Sequence, residues 1–265
     1  MSSFPQYSVR STTELILAFE QLNKHFKSLR LWWRGQAKAG CWKLVPSVYR
    51  NNHARNEAGL IHKFQKKARA RHVCNLENTD YAGWLFLAQH YRLPTRLLDW
   101  SEAALIGLFF AVESPEYDNL DGVLWAVEPM ALRAVHGEAA AIPLSDDQSI
   151  ASLCEAAFTR DHKEDPRILP VFPEQRDVRH MTQQSTFTVH GCQDPLDGHP
   201  NADRFLARIN IPRIGKGPLR EWLGFLGISR SVLFPDLENL AAELRTDNWA
   251  SPVPPPGSAG ARSQP

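Results

Sequence analysis

Ten consecutive residues, Ala103 to Val112, carry no polar side chain. A run that apolar must leave water, yet it falls well short of the ~18–20 residues that cross a bilayer. It predicts a helix buried inside a folded core. Such a helix needs apolar neighbours, and the composition supplies them. Of the 265 residues 43% are hydrophobic and 22% charged, which excludes wholesale disorder. A formal net charge of +1 argues against a surface devoted throughout to nucleic acid or anionic membrane. The N-terminal MSSFPQYSVR has no apolar signal core, so a cytoplasmic protein without membrane contact is expected.

Four cysteines (Cys41, Cys74, Cys154, Cys192) are widely spaced, with no C-x-x-C pair and no histidine at zinc-finger spacing. They are expected to be buried or inert thiols, with no metal site. Phosphate-loop, dinucleotide-fingerprint, H-E-x-x-H and G-x-S-x-G motifs are absent, which removes several common enzyme classes.

The organisation follows from periodicity and punctuation. Ser11 and Glu14 form a capping box ahead of Leu15, Phe19, Leu22, Phe26 and Leu29 at helical spacing. Leu31–Trp33 reads as a strand that ends in a tight turn at Arg34-Gly35. A basic helix is predicted over 54–71, and a more apolar one, capped by Asp80, runs to about Tyr91 before Pro94. Thr95–Trp100 is extended, with Ser101 capping the helix Glu102–Val112. Val123–Val127, Phe187–His190, Phe205–Ile211 and Val232–Phe234 are strand candidates, while 129–175 is helical and loop-rich without a firm pattern. Pro218 opens a helix ending near Gly227, and Pro235–Arg245 forms a last one with Leu237, Leu240, Ala241 and Leu244 on one face. The expected architecture is α+β: a single mixed domain over 1–250, with a small central sheet surrounded by helices. Residues 251–265, with five prolines, read as a disordered tail.

Two segments set polar groups in apolar surroundings. In Trp32-Trp33-Arg34-Gly35-Gln36, the arginine fork beside a glycine backbone suits a phosphate or carboxylate, and equally suits a structural ion pair. In Gln89–Ser101, Asp99 is placed to hold Arg34 or Arg96. In the same stretch His90 is either a base or a satisfied structural group, and Ser101 reads as a cap rather than a nucleophile. In Met181–Phe187, Gln183 and Gln184 present amides just before a strand, suited to sugar hydroxyls or a turn. Lys63, Lys66, Lys67, Arg69 and Arg71 form either a solvated face or a nucleic-acid contact.

In order, WWRGQ, QHYRLPTRLLDWSEAALIGLFFAV, QQSTFTVH and FPDLENLAAEL resemble the FRG domain, a prokaryotic family named for a Phe-Arg-Gly motif. The resemblance spans about 12–245. Trp33 replaces the Phe, Arg92 a usual Gly, Ser101 a common Thr and Ser185 a Gly. The layout in turn resembles that of ADP-ribosyltransferases, which implies NAD as substrate and transfer of ADP-ribose to a protein or nucleic-acid acceptor, in a toxin or phage-defence setting. On that resemblance Arg34, Asp99, Ser101, Gln183 and Gln184 take catalytic places. Arg34, Gly35, Gln36, His90, Thr95, Arg96, Trp100 and Phe187 bind the nucleotide, with Phe187 stacking on nicotinamide. The family's third-strand Glu is a Gln here, so the oxocarbenium-stabilising charge must come from Asp99 or Glu238, or the domain binds nucleotide without turning it over. A nuclease or phosphodiesterase using His90 and Asp99 is the remaining alternative.

Overall fold

The computed structural model describes residues 4–28, 30–50, 53–71, 76–138, 141–144, 147–159, 165–173 and 181–246; the expected tail at 251–265 and Cys74 lie outside them. The fold is α+β, built on one mixed seven-stranded sheet. In chain order its elements are β1 (Gln6–Ser8), α1 (Thr12–Phe26), β2 (Trp32–Gln36), α2 (Glu57–Ala68), α3 (Tyr81–His90), β3 (Leu97–Ser101) and α4 (Ala104–Val112). There follow β4 (Gly122–Val127), α5 (Pro129–Val135), α6 (Gln148–Glu155), β5 (Ile168–Val171), β6 (Ser185–His190) and β7 (Leu206–Ile211). Three helices complete the order: α7 (Arg213–Phe225), α8 (Arg230–Leu233) and α9 (Leu237–Thr246). The sheet order is β1-β7-β4-β2-β3-β6-β5, with only β1 and β7 parallel.

Alternating side chains divide the sheet among three cores. Trp33, Leu124, Ala126 and Ile209 pack with α1, α4 and α7 in the first. Leu97, Phe187 and Val189 pack with α2, α3 and α6 in the second. Trp32, Leu98, Trp100 and Trp125 belong to a third. β2 and β3 pair only at Trp33↔Ser101, whereas β2 pairs with β4 along its whole length. The sheet is therefore weakly joined between β2 and β3, where the first and second cores meet.

Local chemistry explains most boundaries. Ser11 Oγ accepts from Glu14 N at 3.3 Å and Glu14 closes back onto Arg10 N at 2.6 Å, one residue earlier than an ideal capping box. Asp80 caps α3 through Gly83 N at 2.8 Å. At the other end of α3, Arg92 occupies the left-handed region with φ 60°, where its N donates to Gln89 O at 2.9 Å and Leu93 N to Ala88 O at 3.0 Å. This is the turn that usually takes glycine after a helix.

Several expectations are corrected. Arg34-Gly35 lies inside strand β2 rather than in a turn. α4 starts at Ala104, and Ser101 ends β3 instead of capping the helix from its N-cap position. Pro218 sits within α7, which starts at Arg213. Gly215 and Gly217 disguise that start, although Gly215 is where Arg10 Cα packs, 2.8 Å from the place a Cβ would take. Residues 232–234 belong to a short helix and its end rather than a strand, since three residues are too few for a period to show. Strand β5 and the edge strand β1 were missed, one inside an unpatterned region and one only three residues long. Cys41 is exposed, while Cys154 and Cys192 are buried and burial pushes the Cys154 thiol up to about 12.

Gly35 has a specific steric reason. A Cβ there would collide with the Gly107 carbonyl oxygen of α4 and lie 2.5 Å from Ala111 N; one on Gly107 would meet Trp33 Cβ at 2.8 Å. Strand and helix thus touch backbone to backbone. Gly35→Ala is expected to lower stability by about 3 kcal/mol, read as a lower urea midpoint. Gly59→Ala on α2, where nothing lies within 4 Å of the added methyl, should leave the midpoint level or raise it. Equal midpoints for the two variants would refute the close approach.

Candidate functional site

The structure opens a cleft of about 480 Å³ over the β2–β3 junction. Its walls come from β2, the end of α3, β3, the end of α4 and the segment entering β6. Arg34 reaches across the junction: its Nη1 donates to the Asp99 carbonyl at 2.8 Å and stands 3.7 Å from Asp99 Oδ2. Asp99 is the one exposed residue of its strand. Gln89 Nε2 donates to Asp99 Oδ2 at 2.9 Å, and Thr95 Oγ1 donates to Gln89 Oε1 at 2.6 Å, so the carboxylate is held from both sides. Burial lowers the Arg34 pKa; Asp99 opposes that effect and Arg50 adds to it.

Gln36 lies at the other end of the same strand. Trp125 Nε1 donates to Gln36 Oε1 at 3.0 Å, which fixes the amide orientation. Its buried Nε2 has no hydrogen-bond partner among the described residues. Nearby, Trp42 and Tyr117 meet edge to face at 6.2 Å, with Lys38 Nζ 4.3 Å from the Tyr117 ring centre. Glu113 contributes a second carboxylate, 2.6 Å from Arg230; burial raises its pKa and Arg230 offsets part of the rise.

Of the residues singled out by sequence, Arg34, Gly35, Gln36, Asp99, Trp100, Ser101 and Gln183 line this one cleft, although up to about 150 residues apart in the chain. Ser101 Oγ donates to Gln183 O at 2.8 Å and accepts from Ala103 N at 3.1 Å, which ties β3 to the segment before β6. Gln183 Nε2 donates to Leu233 O at 2.9 Å. The others stand elsewhere. Arg96 is fully buried, bidentate on Glu57 at 2.6 and 3.0 Å, with Leu153 O at 2.9 Å, so Asp99 holds Arg34 and not Arg96. Phe187 is buried in the second core against Phe86 at 5.1 Å and does not line the cleft where a base would stack. His90, its ring 4.8 Å from Tyr91, does not line the cleft, nor do Thr95 and the exposed Gln184 and Glu238. Lys63, Lys66, Lys67, Arg69 and Arg71 form an exposed face on and after α2, away from the cleft.

Sequence reasoning missed Gln89, Arg92, Glu113, Trp42 and Tyr117 as wall residues. Arg92 carried a usable signal, being a bulky residue at the position after a helix where glycine is favoured. Glu113 and Tyr117 carried none, because only the packing of α4 on β2 brings them to the site.

The FRG domain family model matches residues 29–119. The chain thus carries an FRG domain, and the matched span includes Arg34, Asp99 and Ser101 but not the Gln183 segment or the closing helices. No curated protein and no solved structure matches the chain. Among the described residues no helix is long and apolar enough to cross a membrane.

Behind the cleft, Trp100 Nε1 donates to Thr188 Oγ1 at 3.1 Å, and that hydroxyl lies 3.0 Å from His190 Nε2. A hydroxyl carries a second lone pair as well as its proton, so Thr188 can pair with either tautomer of a neutral imidazole. Burial, with His136, Arg34 and Arg96 adding to it, pushes His190 down to about 3. The unfolded chain binds this proton below about pH 6.5 and the folded chain does not, so this contribution is whole above 6.5 and is lost as pH falls toward 3. His190→Gln, which cannot charge, should flatten the decline of Tm between about pH 6.5 and 4.5. Parallel declines for the variant and the parent would show that His190 is not held neutral.

Proposed function

We propose that the cleft binds a nucleotide of the NAD class, with Arg34 on phosphate or ribose. The observation carrying this reading is that three sequence-distant strands and their leading segments (Arg34 on β2, Asp99–Ser101 on β3, Gln183 before β6) lie side by side and meet at one cleft. Its volume of about 480 Å³ suits a small-molecule ligand. Trp42 and Tyr117 offer apolar faces for a base, and Gln36 Nε2, without a partner among the described residues, a donor inside the wall.

For the transferase form of the reading, Asp99 is the carboxylate that faces the developing charge. The bond from nicotinamide nitrogen to ribose C1′ breaks, nicotinamide leaves with the bonding electrons, and a macromolecular nucleophile adds to C1′ with loss of its proton. A fixed carboxylate beside the oxocarbenium ion lowers that barrier. Gln89 and Arg34 hold Asp99 for the role, and Thr95 orients Gln89. A binding module without turnover is the second reading. It is favoured by the Gln183 amide being engaged with Leu233 O and by Gln184 lying outside the cleft, so no third-strand carboxylate is present.

Calorimetry with NAD tests the common part and nicotinamide release separates the two forms. The parent is expected to bind, and Arg34→Ala to lose about tenfold or more in affinity. Asp99→Asn should keep affinity and lose release. Binding without release by the parent assigns the module; no heat at millimolar NAD ends the nucleotide reading.

A further inference from the structure

We infer that Arg92 is a ligand-contacting arginine that makes the cleft selective for a diphosphate over a monophosphate group, an inference that rests on the nucleotide reading above. Arg92 is the residue after helix α3 that holds φ 60°, a conformation glycine adopts freely and arginine does not. Nothing in the helix end requires arginine. The turn is closed by backbone bonds, from Arg92 N to Gln89 O and from Leu93 N to Ala88 O, which glycine would make equally well.

The arginine side chain is also not spent on the fold. Arg92 is exposed and lines the cleft, and its guanidinium makes no hydrogen bond or ion pair with the described residues. Compare the other arginines nearby. Arg96 is consumed by Glu57, and Arg50 donates Nε and Nη2 to Val45 O at 3.0 and 2.6 Å. Strain at a backbone position, kept with a free charged side chain at a cleft wall, is a pattern of function rather than of folding.

Charge sets the ligand class. Arg34 and Arg92 line the same cleft as Asp99, and Arg50 is close enough to act electrostatically on Arg34 and to feel Asp99. One carboxylate against three guanidiniums leaves an excess of about two positive charges at this end, which the two phosphates of a nucleoside diphosphate moiety would balance. Glu113, the other carboxylate of the wall, is engaged with Arg230. Arg34 then takes one phosphate at the strand junction and Arg92 the second at the mouth.

The test compares AMP and ADP by calorimetry in the parent, Arg92→Gly and Arg92→Lys. The parent should bind ADP about tenfold more tightly than AMP, the size of one charge-assisted contact. Arg92→Gly should erase that preference and leave AMP affinity within about twofold, while its Tm rises by about 2–4 °C as the left-handed turn relaxes. Arg92→Lys should retain part of the preference. An Arg92→Gly protein that keeps the parent's ADP preference overturns the inference and leaves the nucleotide reading standing. A parent that binds neither nucleotide fails the reading itself and takes the inference with it.

Discussion

The contact between Gly35 and Gly107 fixes the rest of the site. Because neither residue carries a side chain, helix α4 lies directly on the backbone of β2, with the Gly107 carbonyl over the place where any Cβ on residue 35 would stand. That approach sets the height of α4 above the sheet, and with it the positions of Phe110 and Glu113 on the cleft wall. It also accounts for the ten-residue apolar run: a helix pressed so closely to a sheet and packed with α1 and α7 has no fully exposed residue. The Arg-Gly pair of the sequence is thus two constraints in two directions. The glycine faces the helix and the arginine faces the cleft.

Two arginines of the matched FRG span show how burial separates structural from available charge. Arg96 is fully buried, meets Glu57 through both carboxylate oxygens and reaches Leu153 O, so it ties β3 to α2 and α6. Removing either partner of such a pair typically costs about 3–5 kcal/mol, since the other charge is left buried alone. Arg34 lies at the surface of the same sheet, satisfies one main-chain carbonyl, and keeps its fork directed to the cleft. The two share a residue type and a motif-rich neighbourhood, and differ in which side of the sheet junction they reach.

The weak join between β2 and β3 is what makes a cleft possible at all. A continuous ladder would have closed the sheet and covered the wall with a single helical layer. With one residue pair between the strands, the first and second cores each keep their own helices, and the seam between them stays open to solvent. Polar groups collect there because a seam can hydrate them or pass them to a ligand, while Gln89, Thr95 and Ser101 order them through a short chain of hydrogen bonds.

By itself the sequence determined the α+β class, the α1 and α3 helices through their Ser11 and Asp80 caps, and the buried α4 run, since each follows from local periodicity or punctuation. It misplaced Gly35 as a turn and Pro218 as a helix start, because glycine and proline mark breaks locally; at Gly35 only the backbone of the neighbouring helix reveals close packing instead. Three-residue β1 and the strand β5 were invisible, as their strand character comes from a partner's hydrogen bonds and not from their own pattern. Tertiary structure alone decided that Arg96 pairs with Glu57, that Phe187 turns into the core, and that Glu113, Trp42 and Tyr117 join the cleft. The physical reason is the same each time: the sign of a side chain's role depends on which face of the sheet it occupies, and a strand's register is fixed by partners far away in the chain.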